Sequence, residues 1–374
     1  MNHKGKAAIL TWCYNNGKTN YGQILQCYAM QEVIRKRGYD PLVVRYRRPD
    51  PKEEVFGLSA EDRLRYERDY RVHVVEDGDS LRVRRFMEFI QERISLTEQC
   101  YTVSEVEDVT KDCDLLVCGS DQIWNPLWFD EVYCLGFGRP EQRRVAYAPS
   151  GVLDEARQES VETYRKIAQK VSDFEMVTVR EAKSVSILER YTSKEVTEAI
   201  DPTMLLTSEE WNRVAGNRVY EGKYVFCYAL GRMRAHKPLM RYLMKKYQAE
   251  KVLFLTSGHY EEENELETEG VFCAVDDAGP AEFLSLIRGA ETVCTDSFHG
   301  IALSVIYEKQ FYIVQRNDPD IELWGSMERQ KNLMRKVNIP GDRMIRSVKD
   351  VDEMTDIRYE DVIVDREADC LQKI

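Results

Sequence analysis

Short apolar runs alternate with stretches of helical spacing along most of this 374-residue chain. Residues 7–13 (AAILTWC) are apolar, and a polar loop follows through residue 22. A helix is expected from about Gln23 to Lys36, with Ile24, Leu25, Tyr28, Ala29 and Val33 at helical spacing and Gly38 as the stop. Residues 41–46 (PLVVRY) read as the next strand. A strand–helix–strand opening predicts a parallel sheet with right-handed crossovers. Between residues 53 and 97 the chain is highly charged, yet Leu81, Val83, Phe86, Phe89, Ile90 and Ile94 form a helical stripe. Edge helices with a solvated outer face are expected there. Strands are then expected at 114–118, 144–147, 174–179 and 196–200, with a helix over 154–171.

The stretch 208–221 (SEEWNRVAGNRVYE) is polar and marks a domain boundary. A second strand–helix set begins at 224–230, continues with a helix over 237–247 and a strand at 251–255, and reaches an acidic run at 261–267 that suits a solvated loop. Gly279-Pro280 opens a helix, proline being favoured at the first helical position. Residues 291–293 then lead through 294–300 into a helix over 301–306, followed by a strand at 310–314. The pattern predicts an α/β protein of two Rossmann-like domains, 1–207 and 208–346, facing a cleft, with a C-terminal tail over 347–374.

Polar residues cluster where these strands end, which is where open α/β sheets bind ligands. In the first domain they are Asn20, Tyr21 and Gly22; Ser120, Asp121, Gln122 and Asn125; Ser150; Arg180 with Glu181; and Asp201. The first loop lacks the G-x-G-x-x-G fingerprint, so a dinucleotide site is not indicated. Trp124 suits either a stacking face for a sugar or packing beneath its loop. Asp201 suits either orienting Arg180 or capping the turn at Pro202. In the second domain, Thr295, Asp296, Ser297 and His299 fall between a strand and a helix N-terminus, a place that suits an anion and equally suits plain helix capping. Ser257, ahead of His259, sits in a similar loop. Arg316 and Arg329 follow the strand and helix nearest His299.

Composition narrows the partners. A formal net charge of −12 argues against nucleic acid or an anionic membrane surface as the main partner. A small anionic ligand would need a local group of arginines or backbone donors. No apolar run reaches the length of a membrane span, and the first residues lead into a strand rather than an apolar leader. The ten cysteines are scattered without a C-x-x-C pair. They read as small buried hydrophobes in a reducing cytoplasm, and no metal cluster is visible.

Taken in order, the motifs Asn20-Tyr21-Gly22, Gly119-Ser120-Asp121-Gln122-Ile123-Trp124-Asn125-Pro126, Tyr147-Ala148-Pro149-Ser150-Gly151, Val179-Arg180-Glu181, Asp201-Pro202-Thr203 and Thr295-Asp296-Ser297-Phe298-His299-Gly300 resemble the polysaccharide pyruvyl transferase family. The resemblance runs from about Lys6 to about Arg346. It implies a fold like the two-domain GT-B glycosyltransferases. It implies a reaction in which pyruvate passes from phosphoenolpyruvate to two hydroxyls of one sugar, giving a cyclic ketal and phosphate, in cell-surface or exopolysaccharide synthesis. His299 is then the catalytic candidate, because an imidazole serves as acid or base near neutrality. Arg180, Thr295, Asp296, Ser297, Ser257, Arg316 and Arg329 become donor contacts. Asn20, Tyr21, Gly22, Ser120, Asp121, Gln122, Asn125 and Ser150 become acceptor contacts. No cofactor is expected beyond phosphoenolpyruvate as co-substrate. The expected partners are a small anionic donor and a glycan or lipid-linked sugar, which would place the protein in the cytoplasm, at the inner face of the membrane where the acceptor is a lipid. Better-studied members carry Ser-x-Arg-x-His at the last motif, and Ser297 stands at the arginine position, so the chain resembles the Ser-Phe-His-Gly form of the family. This keeps two further readings open: a GT-B-like glycosyltransferase with a nucleotide-sugar donor, and a non-catalytic sugar-binding relative.

Overall fold

The computed structural model describes residues 4–13, 19–47, 81–126, 129–151, 158–231, 236–255, 270–315, 328–341, 343–366 and 369–374. The chain divides into two compact units. Unit 1 holds residues 1–80, 87–205 and 365–374; unit 2 holds 81–86 and 206–364.

Unit 1 is built from β1 (Gly5–Leu10), α1 (Tyr21–Lys36), β2 (Tyr39–Tyr46), α2 (Leu81–Arg93, whose first six residues group with unit 2), β3 (Leu96–Cys100), α3 (Val103–Thr110), β4 (Leu115–Cys118), β5 (Arg143–Ala146), α4 (Gln158–Lys170), β6 (Met176–Val179), α5 (Ala182–Leu188) and β7 (Val196–Glu198). Its seven strands are parallel and ordered β3-β2-β1-β4-β5-β6-β7. Central strands such as β4 and β6 are buried along their whole length. This is why they read as unbroken apolar runs rather than alternating ones. Cys118, Ile123, Trp124, Cys134, Tyr164 and Phe174 share one core with Ala8 and Leu10.

Unit 2 follows with α6 (Ser208–Asn212), β8 (Tyr224–Tyr228), α7 (Lys237–Lys246), β9 (Lys251–Leu255), β10 (Phe272–Ala274), α8 (Pro280–Gly289), β11 (Thr292–Thr295), α9 (Phe298–Ile306), β12 (Phe311–Val314), α10 (Glu328–Lys336), β13 (Met344–Ile345) and α11 (Val348–Glu353). Its sheet is again parallel, ordered β10-β9-β8-β11-β12-β13. In each unit the strand order reverses once, between β1 and β4 and between β8 and β11. Such switch points open a crevice at the carboxyl ends of the strands.

Several elements depart from the sequence reading. Strand β3 (LTEQC) has mostly polar side chains, and pairing with β2 makes it a strand: the Arg45 N–H donates to Thr97 Oγ1 at 2.9 Å and Gln99 Nε2 donates to the Arg45 carbonyl at 2.9 Å. The polar stretch read as a domain boundary contains α6, capped by Thr207 and anchored by the fully buried Trp211. Helix α1 begins at Tyr21 rather than Gln23. Residues 347–374 are not a bare tail. Helix α11 belongs to unit 2, whereas the last ten residues group with unit 1, where Arg143 donates to the Lys373 carbonyl at 2.7 Å and Arg366 to the Met204 carbonyl at 3.1 Å. The acidic run 261–267 lies outside the described residues.

Eight of the ten cysteines are buried and none is in a disulfide. Burial pushes the Cys134 thiol up to about 12, which keeps it a thiol at any ordinary pH. No helix among the described residues is long and apolar enough to cross a membrane.

Candidate active site

At the switch point of unit 1, β1 and β4 are tied together just beyond their ends. The Gly119 N–H donates to the Leu10 carbonyl at 2.8 Å, and Thr11 Oγ1 donates to the Ser120 carbonyl at 2.7 Å. Gly119 has no room for a side chain, since a Cβ would lie 2.8 Å from Thr11 Cβ. Gln26, fully buried on α1, donates to Thr11 Oγ1 and to the Trp12 carbonyl, both at 3.0 Å.

From this seam a polar network runs across the ends of β4, β5 and β6. Ser120 Oγ lies 2.9 Å from the Ala148 carbonyl and 3.2 Å from Asp201 Oδ2. Arg180 Nη2 donates to Ser120 Oγ at 2.5 Å and pairs with Asp201 Oδ2 at 2.6 Å. Both charged side chains are buried, Arg180 2% and Asp201 0% exposed. Asp201 Oδ1 accepts from the Thr203 N–H at 2.9 Å and from Thr203 Oγ1 at 2.6 Å. Asp201 therefore does both things weighed for it, pairing with Arg180 and capping the turn. Ser150 Oγ donates to Glu181 Oε1 at 2.5 Å.

Two non-glycine residues in this network adopt left-handed backbone, Asp121 at φ 73° and Ala148 at φ 52°. Each such conformation costs on the order of 1–3 kcal/mol and persists only where the surroundings enforce it. Here the enforcing contacts are a bridge between Asp121 and Pro149, a 2.7 Å bond from the Ser150 N–H to the Asp121 carbonyl, and a 2.9 Å bond from the Ala148 N–H to Thr178 Oγ1. Asp121 also accepts the Gln122 N–H at 2.8 Å, and Asn125 Nδ2 donates to Gln122 Oε1 at 2.9 Å.

The expected site residues of unit 1 thus divide. Ser120, Asp121, Gln122, Asn125, Ser150 and Arg180 come together at the ends of β4 to β6. Arg180 is held inward by Asp201 rather than presented at the surface. Trp124 is 1% exposed and packs in the core, so the packing reading is the correct one. Asn20 is the N-cap of α1, its Oδ1 accepting the Gln23 N–H at 3.2 Å, while Tyr21 and Gly22 are buried in the first turn of that helix.

Unit 2 repeats the arrangement at β8 and β11. Thr295 Oγ1 donates to the Tyr228 carbonyl at 2.5 Å and accepts the Ser297 N–H at 3.0 Å. The Asp296 carboxylate accepts the N–H groups of Leu230 at 2.7 Å and Gly231 at 2.9 Å. Ser297 caps α9, its Oγ accepting the Gly300 N–H at 3.3 Å. Gly300 is required because a Cβ would lie 2.6 Å from Thr295 Oγ1. The side chains of Thr295, Asp296 and Ser297 accordingly serve the strand ends and the cap. His299 follows in the first turn of α9, 9% exposed, its ring edge-on to Phe298 with centroids 5.3 Å apart. Arg329 lies in the first turn of α10, next to Gln330, whose Nε2 donates to the Asp296 carbonyl at 3.1 Å. Ser257, His259 and Arg316 lie outside the described residues.

One residue of this cluster was missed in the sequence. His236, which no sequence motif singles out, precedes α7, is 9% exposed, hydrogen-bonds to the backbone of Gln315 and faces Asp296. Burial holds its imidazole below the ordinary histidine value, with Asp296 and the Gln315 contact pulling the other way. The available signal was Pro238, which marks a helix start and so puts His236 at the end of the β8 loop. Among the described residues, no group of three or more His, Cys, Asp or Glu side chains is placed to hold a metal ion.

A family model described as polysaccharide pyruvyl transferase matches residues 20–318. A search of curated proteins finds no match. Among solved structures, the chain is similar to UDP-GlcNAc 2-epimerase from Methanocaldococcus jannaschii at 12% identity and a TM-score of 0.49, over 91% of this chain and 94% of that one. It is similar to UDP-GlcNAc 2-epimerase from Neisseria meningitidis bound to UDP-GlcNAc at 9% identity and a TM-score of 0.48, over 87% and 86%. It is also similar to E. coli ADP-heptose lps heptosyltransferase II at 9% identity and a TM-score of 0.38, over 85% and 87%. Likenesses of this size carry no inference about the reaction. The family model, by contrast, spans most of the chain and includes Ser120, Asp121, Arg180, Asp201 and His299: the protein belongs to the polysaccharide pyruvyl transferase family, and it is a transferase.

Proposed function

We propose that this transferase moves pyruvate from phosphoenolpyruvate onto two hydroxyls of one sugar in a cell-surface or exopolysaccharide precursor. In that reaction two C–O bonds form at C2 of the donor and the C2–O bond to phosphate breaks. Of the two hydroxyl protons, one ends on the former methylene carbon and the other on phosphate, so the reaction needs a group that moves protons near neutrality. The observation that carries the reading is the position of His299, in the first turn of α9 beside the strand reversal of unit 2, within the family-matched residues.

In this reading unit 2 takes the donor. Arg329, carried on the turn that Gln330 fastens to Asp296, supplies positive charge for its carboxylate and phosphate, and Arg316 is the second cation. Unit 1 takes the acceptor, with Asp121 and Gln122 at the strained end of β4 accepting hydrogen bonds from its hydroxyls and Asn125 supporting Gln122. The Arg180–Asp201 pair fixes the shape of those strand ends. A lipid-linked acceptor would bring the protein to the inner face of the membrane.

Ser297 favours a second reading. It caps α9 where better-studied members of the family place an arginine, so phosphoenolpyruvate in unit 2 would lack that guanidinium, and a nucleotide-sugar donor with a glycosyl transfer becomes the competing assignment. One experiment separates the two. Incubation with phosphoenolpyruvate and candidate sugar acceptors should release phosphate, in the presence of chelator as in its absence. His299→Ala should reduce that release by about 10²-fold or more, the usual contribution of a positioned acid or base. Full turnover in this variant would remove His299 from the mechanism. Thermal stabilisation by UDP or GDP sugars but not by phosphoenolpyruvate would establish the second reading instead.

A further inference from the structure

His236 ends the loop that follows β8 and stands at the N-cap of α7, yet its side chain does not cap that helix. The ring instead donates to the backbone carbonyl of Gln315, just past β12, and faces the Asp296 carboxylate, just past β11. It therefore lies across the carboxyl ends of three neighbouring strands, β8, β11 and β12, at the reversal of unit 2 where a crevice opens. The residue keeps 9% of its surface open there, and neither ring nitrogen is enclosed without a partner. Among the described residues, Asp296 is the charged group that faces the ring; Lys237, the next residue, is turned to the Phe272 ring on β10. The N–H groups of Leu230 and Gly231 hold the Asp296 carboxylate in place. Directly after Asp296 comes Ser297, the cap of α9, at the position where better-studied family members carry arginine.

We infer that His236 is a donor-binding residue, giving the phosphate group of the donor in unit 2 a positively charged hydrogen-bond partner in place of the arginine that Ser297 replaces. Without such an anion, burial outweighs Asp296 and keeps the imidazole neutral near pH 7. A phosphate adds a second negative charge beside the ring, and together the two anions favour the imidazolium. Donor binding then draws one proton from solvent onto the ring; no bond to the donor is made or broken in this step. The inference rests on the proposed function in placing an anionic donor in unit 2. It does not require that donor to be phosphoenolpyruvate, because a nucleotide diphosphate presents the same phosphate oxygens.

The test is calorimetric titration of the full-length protein and of His236→Gln with phosphoenolpyruvate and with UDP, at about pH 7.5, above the ordinary histidine value. Each titration is run in two buffers of different ionisation enthalpy, which reads affinity and proton uptake together. Glutamine keeps an N–H donor and cannot take up the proton. For whichever probe binds, the variant should bind about 10-fold or more weakly, as expected when a charge-assisted hydrogen bond is lost. It should also take up about 0.5–1 proton fewer per probe bound. Equal proton counts in the two proteins, unchanged affinity, or binding of neither probe to the unaltered protein would each overturn the assignment. If His236→Gln does not fold, His299→Ala is titrated in its place. Proton uptake that persists without His299 supports the assignment, and uptake that vanishes moves the proton to His299 and overturns it. The expected pattern with UDP alone would remove phosphoenolpyruvate as the donor and leave His236 as assigned.

Discussion

Asp201→Asn changes one atom at the centre of the unit 1 network and should be among the most damaging substitutions there. Asparagine keeps an oxygen for the two bonds from Thr203 and removes the charge that faces Arg180 at 2.6 Å. Arg180 is 2% exposed, so the guanidinium left behind has almost no access to water. Breaking one partner of a buried pair costs about 3–5 kcal/mol, mostly the penalty of the remaining uncompensated charge. Against a total stability of about 5–15 kcal/mol for a domain, that leaves unit 1 marginal. Arg180→Met alone strands Asp201 in the same way. The double variant removes both charges of the pair, and replacing a buried pair by uncharged groups is often close to neutral. Urea unfolding of the four proteins, followed by far-ultraviolet circular dichroism, should therefore show each single variant destabilised by about 3 kcal/mol or more, with the double variant recovering at least about 2 kcal/mol relative to the sum. Single variants costing under about 1 kcal/mol, or costs that simply add, would show that the pair is solvated and that the network does not depend on it.

Two further substitutions probe unit 2. Gly300→Ala places a Cβ 2.6 Å from Thr295 Oγ1, a hydroxyl already committed to the Tyr228 carbonyl, so the turn must shift. A cost of about 1–3 kcal/mol is expected from overpacking, read as a lower melting temperature together with lost turnover, and an unchanged protein would show the turn to be loose. His236→Gln tests the buried imidazole. Its folded-state pKa is depressed while the unfolded chain titrates near the ordinary 6.5, so its contribution to stability is complete above about 6.5 and is lost as pH falls toward the folded value. The variant should flatten the fall in melting temperature between about pH 7 and pH 5.5, and parallel curves would exclude that coupling.

Much of this protein was legible from its sequence because the signals are local. A strand buried on both faces needs a largely apolar run, so β4, β6, β8 and β12 announced themselves. Ser297 stood among the candidate caps of a helix start through a hydroxyl that can reach an N–H three residues on. The family motifs likewise lie at strand ends, where the chain must turn and where polar residues therefore stand out. The edges were not legible: β3 has no apolar pattern of its own and is a strand only because β2 offers it hydrogen-bond partners.

The division within the sites has the same origin. Which residue types collect at the strand ends is a property of the sequence, and His299, Arg180 and Asp121 were visible there. What each side chain does was decided by neighbours far along the chain. Arg180 turns inward because Asp201 is waiting, Asp296 is taken up by the N–H groups of Leu230 and Gly231, and Trp124 fills the core beneath its loop. His236 and Gln330 join the cluster around Asp296 only through folding, from 60 and 34 residues away in sequence, differences of 296 − 236 and 330 − 296. Periodicity and capping act over a few residues and so can be read along the chain. The pairing of buried polar groups depends on which strands lie side by side, and only the tertiary structure settles that.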